Sequence, residues 1–235
     1  TTADIRVIPD LFQFQLFSNR PVQSLGIPMI ELSGTDIAGP EKVIKSLLDV
    51  TSAALLLVLV SPFYLIIGLA IKLDSKGPIH FRQKRLGFSG EDMTILKFRT
   101  MLHSNDELSS QQATVNDPRI TRIGKVLRRT SLDELPQLIN VLLGEMSLVG
   151  PRPHAQMQND EFRDLIPKYM LRHKVKPGIT GWAQINGYRG ETDTLEKMDK
   201  RIEYDLWYIR NWSLWLDITI LLRTPMAVIK GRNAY

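Results

Sequence analysis

No cysteine occurs among the 235 residues. That excludes a disulfide framework and a thiolate metal site, and it suits a cytoplasmic face. Charge is absent from a second place. From Ala53 to Ile71 the chain carries no charged residue and reads Ala-Ala-Leu-Leu-Leu-Val-Leu-Val-Ser-Pro-Phe-Tyr-Leu-Ile-Ile-Gly-Leu-Ala-Ile. The run is internal and no small-residue cleavage motif follows it, so it is not a cleaved signal peptide. A nucleic-acid-binding motif is also missing, which turns the net charge of +5 toward other anions, such as lipid headgroups or phosphorylated small molecules. At 43% apolar and 23% charged the composition is that of a folded protein, not a disordered one.

The apolar run approaches the roughly 20 residues that a membrane-spanning helix needs. Ser61 and Pro62 stand at its centre, where proline removes a backbone donor and clashes with the preceding turn, so a kink is expected. Lys42 and Lys45 precede the run, and Lys72, Lys76, Arg82, Lys84 and Arg85 follow it. Basic residues at both ends mark neither as the cytoplasmic one. A helix broken at Ser61-Pro62 that dips into a membrane and returns satisfies both flanks. A kinked spanning helix and a buried soluble hairpin are the alternatives.

Residues 1–38 have another character, with short apolar bursts broken by proline and polar residues that suggest small strands and loops. The chain begins with Thr1, and this stretch is expected to be the trailing end of a preceding domain and a linker. After the apolar run, Ile79 to Gln83 and Met93 to Arg99 read as two strands around a turn at Gly87 to Gly90. Lys97 and Arg99 alternate with Phe98, which puts both on one strand face, either as phosphate ligands or as a solvated basic edge. The polar stretch Asp106 to Asn116 reads as a surface loop or short exposed helix.

The most informative segment is the acidic pair Asp133 and Glu134, preceded by Arg119, Arg122, Lys125, Arg128 and Arg129. Cationic surroundings favour ionised carboxylates and can hold substrate phosphates, so a nucleophile, its partner and a phosphate clamp could share this stretch. Ser131 followed by Glu134 also fits a capping box, with both acids merely favouring a helix start. Leu135, Leu138, Ile139, Leu142 and Leu143 recur at helical spacing, giving an amphipathic helix that begins at the acidic pair and stops at Gly144. Gly150-Pro151-Arg152-Pro153 should be a stiff, extended loop that presents Arg152 with little freedom. Pro177 to Thr192 is rich in turn formers, and Trp182 and Tyr188 either stack on a ligand or anchor the loops locally. Between Tyr204 and Trp215 lie three of the four tryptophans. That segment reads as a shallow interfacial helix or an aromatic core helix.

Several ordered blocks carry a family resemblance. Arg128-Arg129-Thr130-Ser131-Leu132-Asp133-Glu134-Leu135-Pro136, Gly150-Pro151-Arg152-Pro153, Lys97-Phe98-Arg99-Thr100-Met101, Asp117-Pro118-Arg119 and Lys176-Pro177-Gly178-Ile179-Thr180-Gly181-Trp182 resemble the bacterial sugar transferases called monotopic phosphoglycosyl transferases. The likeness runs from about residue 40 to the C-terminus. It implies an α-rich α/β monotopic membrane protein. A re-entrant helix hairpin over 39–76, broken at Ser61 and Pro62, would precede a small cytoplasmic catalytic domain over 77–235 with interfacial amphipathic helices. It implies transfer of a hexose 1-phosphate from a UDP-sugar to undecaprenyl phosphate at the bacterial inner membrane, through a covalent aspartyl sugar-phosphate. Asn186 to Thr194 looks closest to members that transfer glucose 1-phosphate rather than galactose 1-phosphate, with galactose 1-phosphate or the sugar phosphate of another UDP-sugar as the alternative. Asp133 would be the nucleophile and a Mg2+ ligand, and Glu134 would manage protons. Lys97, Arg99, Arg119, Arg128, Arg152, Gln184 and Arg189 would bind substrate and phosphate. A homodimer is compatible with the resemblance, and no nucleic acid is expected. A non-catalytic membrane module that binds lipid phosphates is the competing class.

Overall fold

The computed structural model describes residues 20–24, 27–31, 37, 39–102, 117–166, 168–190 and 194–229. The expected loop over Asp106 to Asn116 and most of the 1–38 segment lie outside the described residues. Within the latter, β1 (Arg20–Ser24) and β2 (Ile27–Glu31) pair antiparallel.

Helix α1 covers Gly39–Asp74, about 54 Å at 1.5 Å per residue. Gly39 enters at φ +55°, and Pro40 follows in the first turn, where its missing N–H costs nothing. The helix continues through Ser61 and Pro62. The two-helix break expected there is therefore a single helix with proline inside, and the Ser61 hydroxyl bonds the Val58 carbonyl at 2.8 Å. Lys45, Asp49, Ala53, Leu57, Val60, Tyr64, Ile67 and Ile71, three or four residues apart, form the stripe that packs on the rest of the molecule. The other faces are apolar and uncovered. Leu55, Val58, Leu59, Phe63, Leu65, Ile66, Leu69 and Leu73 stand at 62–80% exposure, far more contiguous apolar surface than a monomer leaves in water.

The stripe is fastened at both ends. Near the start, Lys45 Nζ bonds Asp217 at 2.6 Å, and Asp49 accepts the Leu148 N–H at 3.2 Å. Near the end, Asp74 accepts the Ile123 N–H at 3.2 Å, while Arg99 donates to the Ser75 and Lys76 carbonyls at 2.7 and 2.9 Å. Arg99 thereby fixes the two residues that follow the helix.

Strands β3 (His80–Leu86) and β4 (Asp92–Phe98) form the expected antiparallel hairpin, in register from His80 opposite Phe98 to Leu86 opposite Asp92. Helix α2 (Arg122–Thr130) is capped by the Thr121 side chain, which accepts the Gly124 N–H at 3.0 Å. Helix α3 is shorter than its apolar pattern suggests, Gln137–Leu142. Asn140 ties it to β4 by accepting the Leu96 N–H at 3.0 Å and donating to the Thr94 carbonyl at 2.8 Å. Strand β5 (Ser147–Val149) runs parallel to β6 (Gly178–Thr180), with α4 (Gln156–Phe162) between them in sequence. The short α5 (Trp182–Ile185) and the longer α6 (Leu195–Arg210) and α7 (Leu214–Ile229) complete the order. The described fold is thus mixed, α-rich, with three two-stranded ladders. Its main core joins α1, α3, β5, α6 and α7 through Ala53, Leu138, Val149, Ile202, Ile209 and Ile220.

The two readings of the Tyr204 to Trp215 segment divide between two helices. In α6, Tyr208 is buried and its hydroxyl donates to Asp217 at 2.7 Å. In α7, Trp215, Leu222, Met226 and Ile229 are largely exposed.

Candidate active site

Helix α2 ends at Ser131, which takes the left-handed conformation at φ 59°. The chain then winds a single 3-10 turn, Leu132–Glu134, before α3 begins. The acidic pair therefore sits in a tight turn between helices and not in the first turn of α3. Nor is a capping box formed: Ser131 makes no side-chain cap bond, and its hydroxyl is held by Arg189. The left-handed residue turns the chain so sharply that Glu134 points inward.

Glu134 is buried and fully engaged. Lys97 Nζ donates to its Oε1 at 3.0 Å, and Arg152 grips both oxygens, Nη2 to Oε1 at 2.5 Å and Nη1 to Oε2 at 3.1 Å. Burial opposes its charge, but Arg152 and Lys97 outweigh burial and hold its carboxyl well below the usual range. Asp133 differs in every respect. It is half-buried, and among the described residues no donor is bonded to its carboxylate. Burial, then the neighbouring Glu134 charge, raises its pKa, against the pull of Lys97, Arg152 and Arg128. Adjacent carboxylates in one turn have opposite electrostatics, one locked as an anion and one free to react.

Four of the expected phosphate ligands meet around this turn. Lys97 and Arg152 hold Glu134. Arg128 lies close enough to be influenced by the Asp133 charge and donates to Thr100 Oγ1 at 2.9 Å. Arg189 closes the far side through Ser131 and feels both Glu134 and Asp133. Arg99 and Arg119 are engaged elsewhere. Arg99 follows the end of β4 and turns to the C-terminal end of α1, so it does not share a phosphate-facing surface with Lys97. Arg119 is clamped by Asp117, with Nη2 to Oδ2 at 2.6 Å, and its charge acts on Arg128. Gln184 donates to the Ile179 carbonyl at 3.1 Å and lines the same groove as Ser131, Glu134 and Arg189. Trp182 and Tyr188 are taken up by α6, Trp182 stacking on Trp207 and Tyr188 packing tilted against Tyr204, with ring centroids at 4.8 and 5.0 Å.

Beside Ser131, Glu134 and Arg189 opens an apolar groove of about 470 Å³, a volume in the range of small-molecule sites. Leu56 and Val60 of α1 form one wall, Leu135 and Leu138 another, and Leu221, Pro225 and Val228 of α7 the third.

A second polar layer behind Arg152 escaped the sequence reading. Arg172 donates to the Arg152 carbonyl at 2.6 Å, to Asp205 at 2.8 Å and to His154 Nδ1. Arg201 holds the Gly190 carbonyl, and Arg85 lies close enough for its charge to act on both Arg152 and His154. Burial lowers the pKa of Arg85 and of Arg201 to about 10. The spacing of Arg201 and Asp205 within the apolar stripe Met198, Ile202, Ile209 was the one available signal, since charges four apart on a buried helix face need partners.

Asp133 also bears on metal binding. Among the described residues no group of three or more His, Asp or Glu side chains could hold an ion, and Glu134 is spent on Arg152 and Lys97. Asp133 alone remains. That suits magnesium, which binds one or two carboxylates and completes its shell with water and substrate phosphates.

Residues 40–231 match the family described as bacterial sugar transferase. The chain is 52% identical over 235 residues to the UDP-glucose:undecaprenyl-phosphate glucose-1-phosphate transferase of Escherichia coli K12, covering all of this chain and 51% of that protein. It is 51% identical over 191 residues to the protein of the same name in Caulobacter vibrioides, covering 81% of this chain and 72% of the relative. The UDP-N-acetylgalactosamine-undecaprenyl-phosphate N-acetylgalactosaminephosphotransferase of Aeromonas hydrophila is 44% identical over 192 residues, covering 81% of this chain and 45% of the relative. The chain thus spans about half the length of the first of these.

Proposed function

Since the chain belongs to the bacterial sugar transferase family, we propose that it transfers glucose 1-phosphate from UDP-glucose to undecaprenyl phosphate, giving undecaprenyl-diphosphate glucose and UMP. The observation that carries this reading is the unbonded Asp133 carboxylate beside a Glu134 locked by Arg152 and Lys97. Glucose is preferred to another sugar because two of the relatives above bear that name.

In the first step an Asp133 oxygen attacks the sugar-bearing phosphorus, the bond to the bridging oxygen breaks, and UMP leaves with that oxygen. In the second, an oxygen of the lipid phosphate attacks the same phosphorus and the Asp133 carboxylate departs. No proton has to be stored on Asp133, so its neighbours need only manage charge. Arg128 and Arg189 offset the charge on the phosphoryl oxygens. Glu134, as a fixed anion, keeps Arg152 and Lys97 oriented. Magnesium held by Asp133 and the substrate phosphates would supply further neutralisation and favour the ionised form of Asp133.

The acceptor has an anionic head and a long apolar chain, and the groove has the matching layout. Its polar floor is Arg189, Ser131 and Glu134, and its walls include α1. Membrane residence follows from the uncovered faces of α1, and we read the helix as re-entrant, bending at Pro62 in the bilayer so that Ser61 and Pro62 lie deepest. Attachment of both ends of α1 to one charged body supports this, because a perpendicular span would part those ends by about 30 Å of hydrocarbon. The catalytic body then lies on the cytoplasmic face of the inner membrane, where UDP-sugars are found.

The test is release of UMP from a panel of UDP-sugars, with undecaprenyl phosphate, magnesium and detergent, for the native sequence and Asp133→Asn. Release from UDP-glucose that requires the lipid and disappears in Asp133→Asn is expected. Turnover retained in that variant would remove Asp133 as nucleophile, and preference for another donor would change the sugar.

A further inference from the structure

A second cavity, of about 320 Å³, lies where α1 begins. Its walls come from the first turns of α1, the β3–β4 turn, the start of β5 and the segment that leads into β6. None of its residues lines the apolar groove beside Glu134. Four lysines line it, Lys42, Lys45, Lys174 and Lys176, against a single carboxylate, Asp49. Lys45 is already engaged, since it bonds Asp217 at 2.6 Å and pairs with Asp49 at 3.6 Å. Lys42 and Lys176 are in a different state, for neither makes an ion pair or a hydrogen bond among the described residues. Lys42 Nζ instead lies over the Phe88 ring at 4.9 Å, which carries the ammonium from α1 across to the β3–β4 turn. Two lysines on one small cavity with no carboxylate to neutralise them favour an anion there.

The surface next to the cavity selects the kind of anion. A groove of about 490 Å³ runs along α1, lined by Lys42, Val43, Ser46, Leu47 and Val50. Lys42 and Ser46 belong to both, so the two spaces adjoin. Helical spacing explains the layout. Gly39, Lys42, Ser46 and Asp49 form one ridge of α1 and face the cavity, while Val43, Leu47 and Val50 form the next ridge and face the groove. Val43 and Leu47 are 68% and 64% exposed, and they begin the uncovered apolar surface that puts α1 in a membrane. A soluble anion would occupy the cavity and leave the groove empty. A phosphate carrying hydrocarbon chains would use both.

We propose that the cavity and the groove together bind one anionic phospholipid. Its phosphate diester lies against Lys42 and Lys176, and an acyl chain follows Val43, Leu47 and Val50 along α1. The bound lipid fixes the entry of α1 at headgroup depth, on the same body that carries the acidic turn. The site is separate from the acceptor groove and independent of the reaction performed at Asp133.

The full chain in a neutral detergent is titrated with dioctanoyl phosphatidylglycerol, dioctanoyl phosphatidylcholine and glycerol 3-phosphate, and the melting temperature is followed. Phosphatidylglycerol should raise it, and the other two should not. Lys42→Gln and Lys176→Gln should each weaken the response to phosphatidylglycerol about tenfold, the loss expected for one charge-assisted hydrogen bond. Without lipid both variants should melt close to the native protein, because neither lysine has an ion pair to lose. Ser46→Leu keeps every charge and fills the junction between cavity and groove, so it should weaken the response as well. Lys125→Gln, at an exposed position on α2, should leave it native. An equal response to glycerol 3-phosphate would replace the lipid by a soluble phosphate and overturn the proposal. A native response in Lys42→Gln and Lys176→Gln, or an equal loss in Lys125→Gln, would reduce the effect to general attraction by a basic protein and overturn it too.

Discussion

At the scale of single residues, the acidic pair was legible as a reactive site and illegible as geometry. Type and spacing placed Asp133 and Glu134 together, but nothing in a linear pattern announces that Ser131 is left-handed, and that one torsion sends Glu134 to Lys97 and Arg152. The same limit applies to Arg99, which alternates with Lys97 in sequence and yet serves the end of α1 once β4 stops at Phe98. The buried layer of Arg172, His154, Arg201 and Asp205 was missed because its members are far apart in the chain. That layer makes a prediction about pH. Burial and the charges of Arg172, Arg201, Arg85 and His173 keep His154 neutral in the fold. Burial and Arg172 lower His173 to about 4. Both folded pKa values lie below the unfolded 6.5, so as pH falls through 6.5 the unfolded chain takes protons that the native state refuses. Each histidine should therefore cost about 1.4 kcal/mol between pH 7.5 and pH 5.5. Denaturant melts at the two pH values check this. The loss should be roughly halved in His154→Gln, and an equal loss in that variant would assign the effect elsewhere.

At the scale of elements, strong periodicity and strong turn signals read correctly. The β3–β4 hairpin appears with its turn at Phe88–Gly90, and α1 covers the whole apolar run. Boundaries set by tertiary packing did not read, as the late start of α3 shows. The Gly150 to Pro153 loop is stiff for a reason beyond its prolines. A Cβ on Gly178 would stand 2.1 Å from the Gly150 nitrogen, and one on Gly150 would stand 2.6 Å from the Lys176 carbonyl oxygen. The backbones of β5 and β6 touch where the Arg152 loop departs, which only glycine permits. Gly178→Ala must push the two strands apart. It should destabilise the fold by at least about 1–3 kcal/mol and should also lower turnover, because Arg152 loses its anchorage. Urea midpoints and kcat measured on the same sample test the link. A destabilised variant with native kcat would separate the ladder from the site.

At the scale of the molecule, the question is how the catalytic body meets the bilayer. The uncovered faces of α1 and the exposed apolar residues of α7 flank the groove, so its mouth opens where acyl chains would lie. The absence of cysteine makes the orientation directly measurable, because a single introduced thiol is unambiguous. Lys42 and Lys76, exposed near the two ends of α1, are replaced singly by cysteine, and intact cells and inverted membrane vesicles are treated with a membrane-impermeant maleimide. If α1 enters and leaves by one face, both Lys42→Cys and Lys76→Cys react only in inverted vesicles. A spanning helix would make one of them react from outside. In that event the Lys45–Asp217 and Asp74–Ile123 contacts could not both persist in the membrane, since the first fastens α1 to α7 and the second fastens it to α2. Labelling from one side would keep both contacts and place the acidic turn within reach of a lipid phosphate.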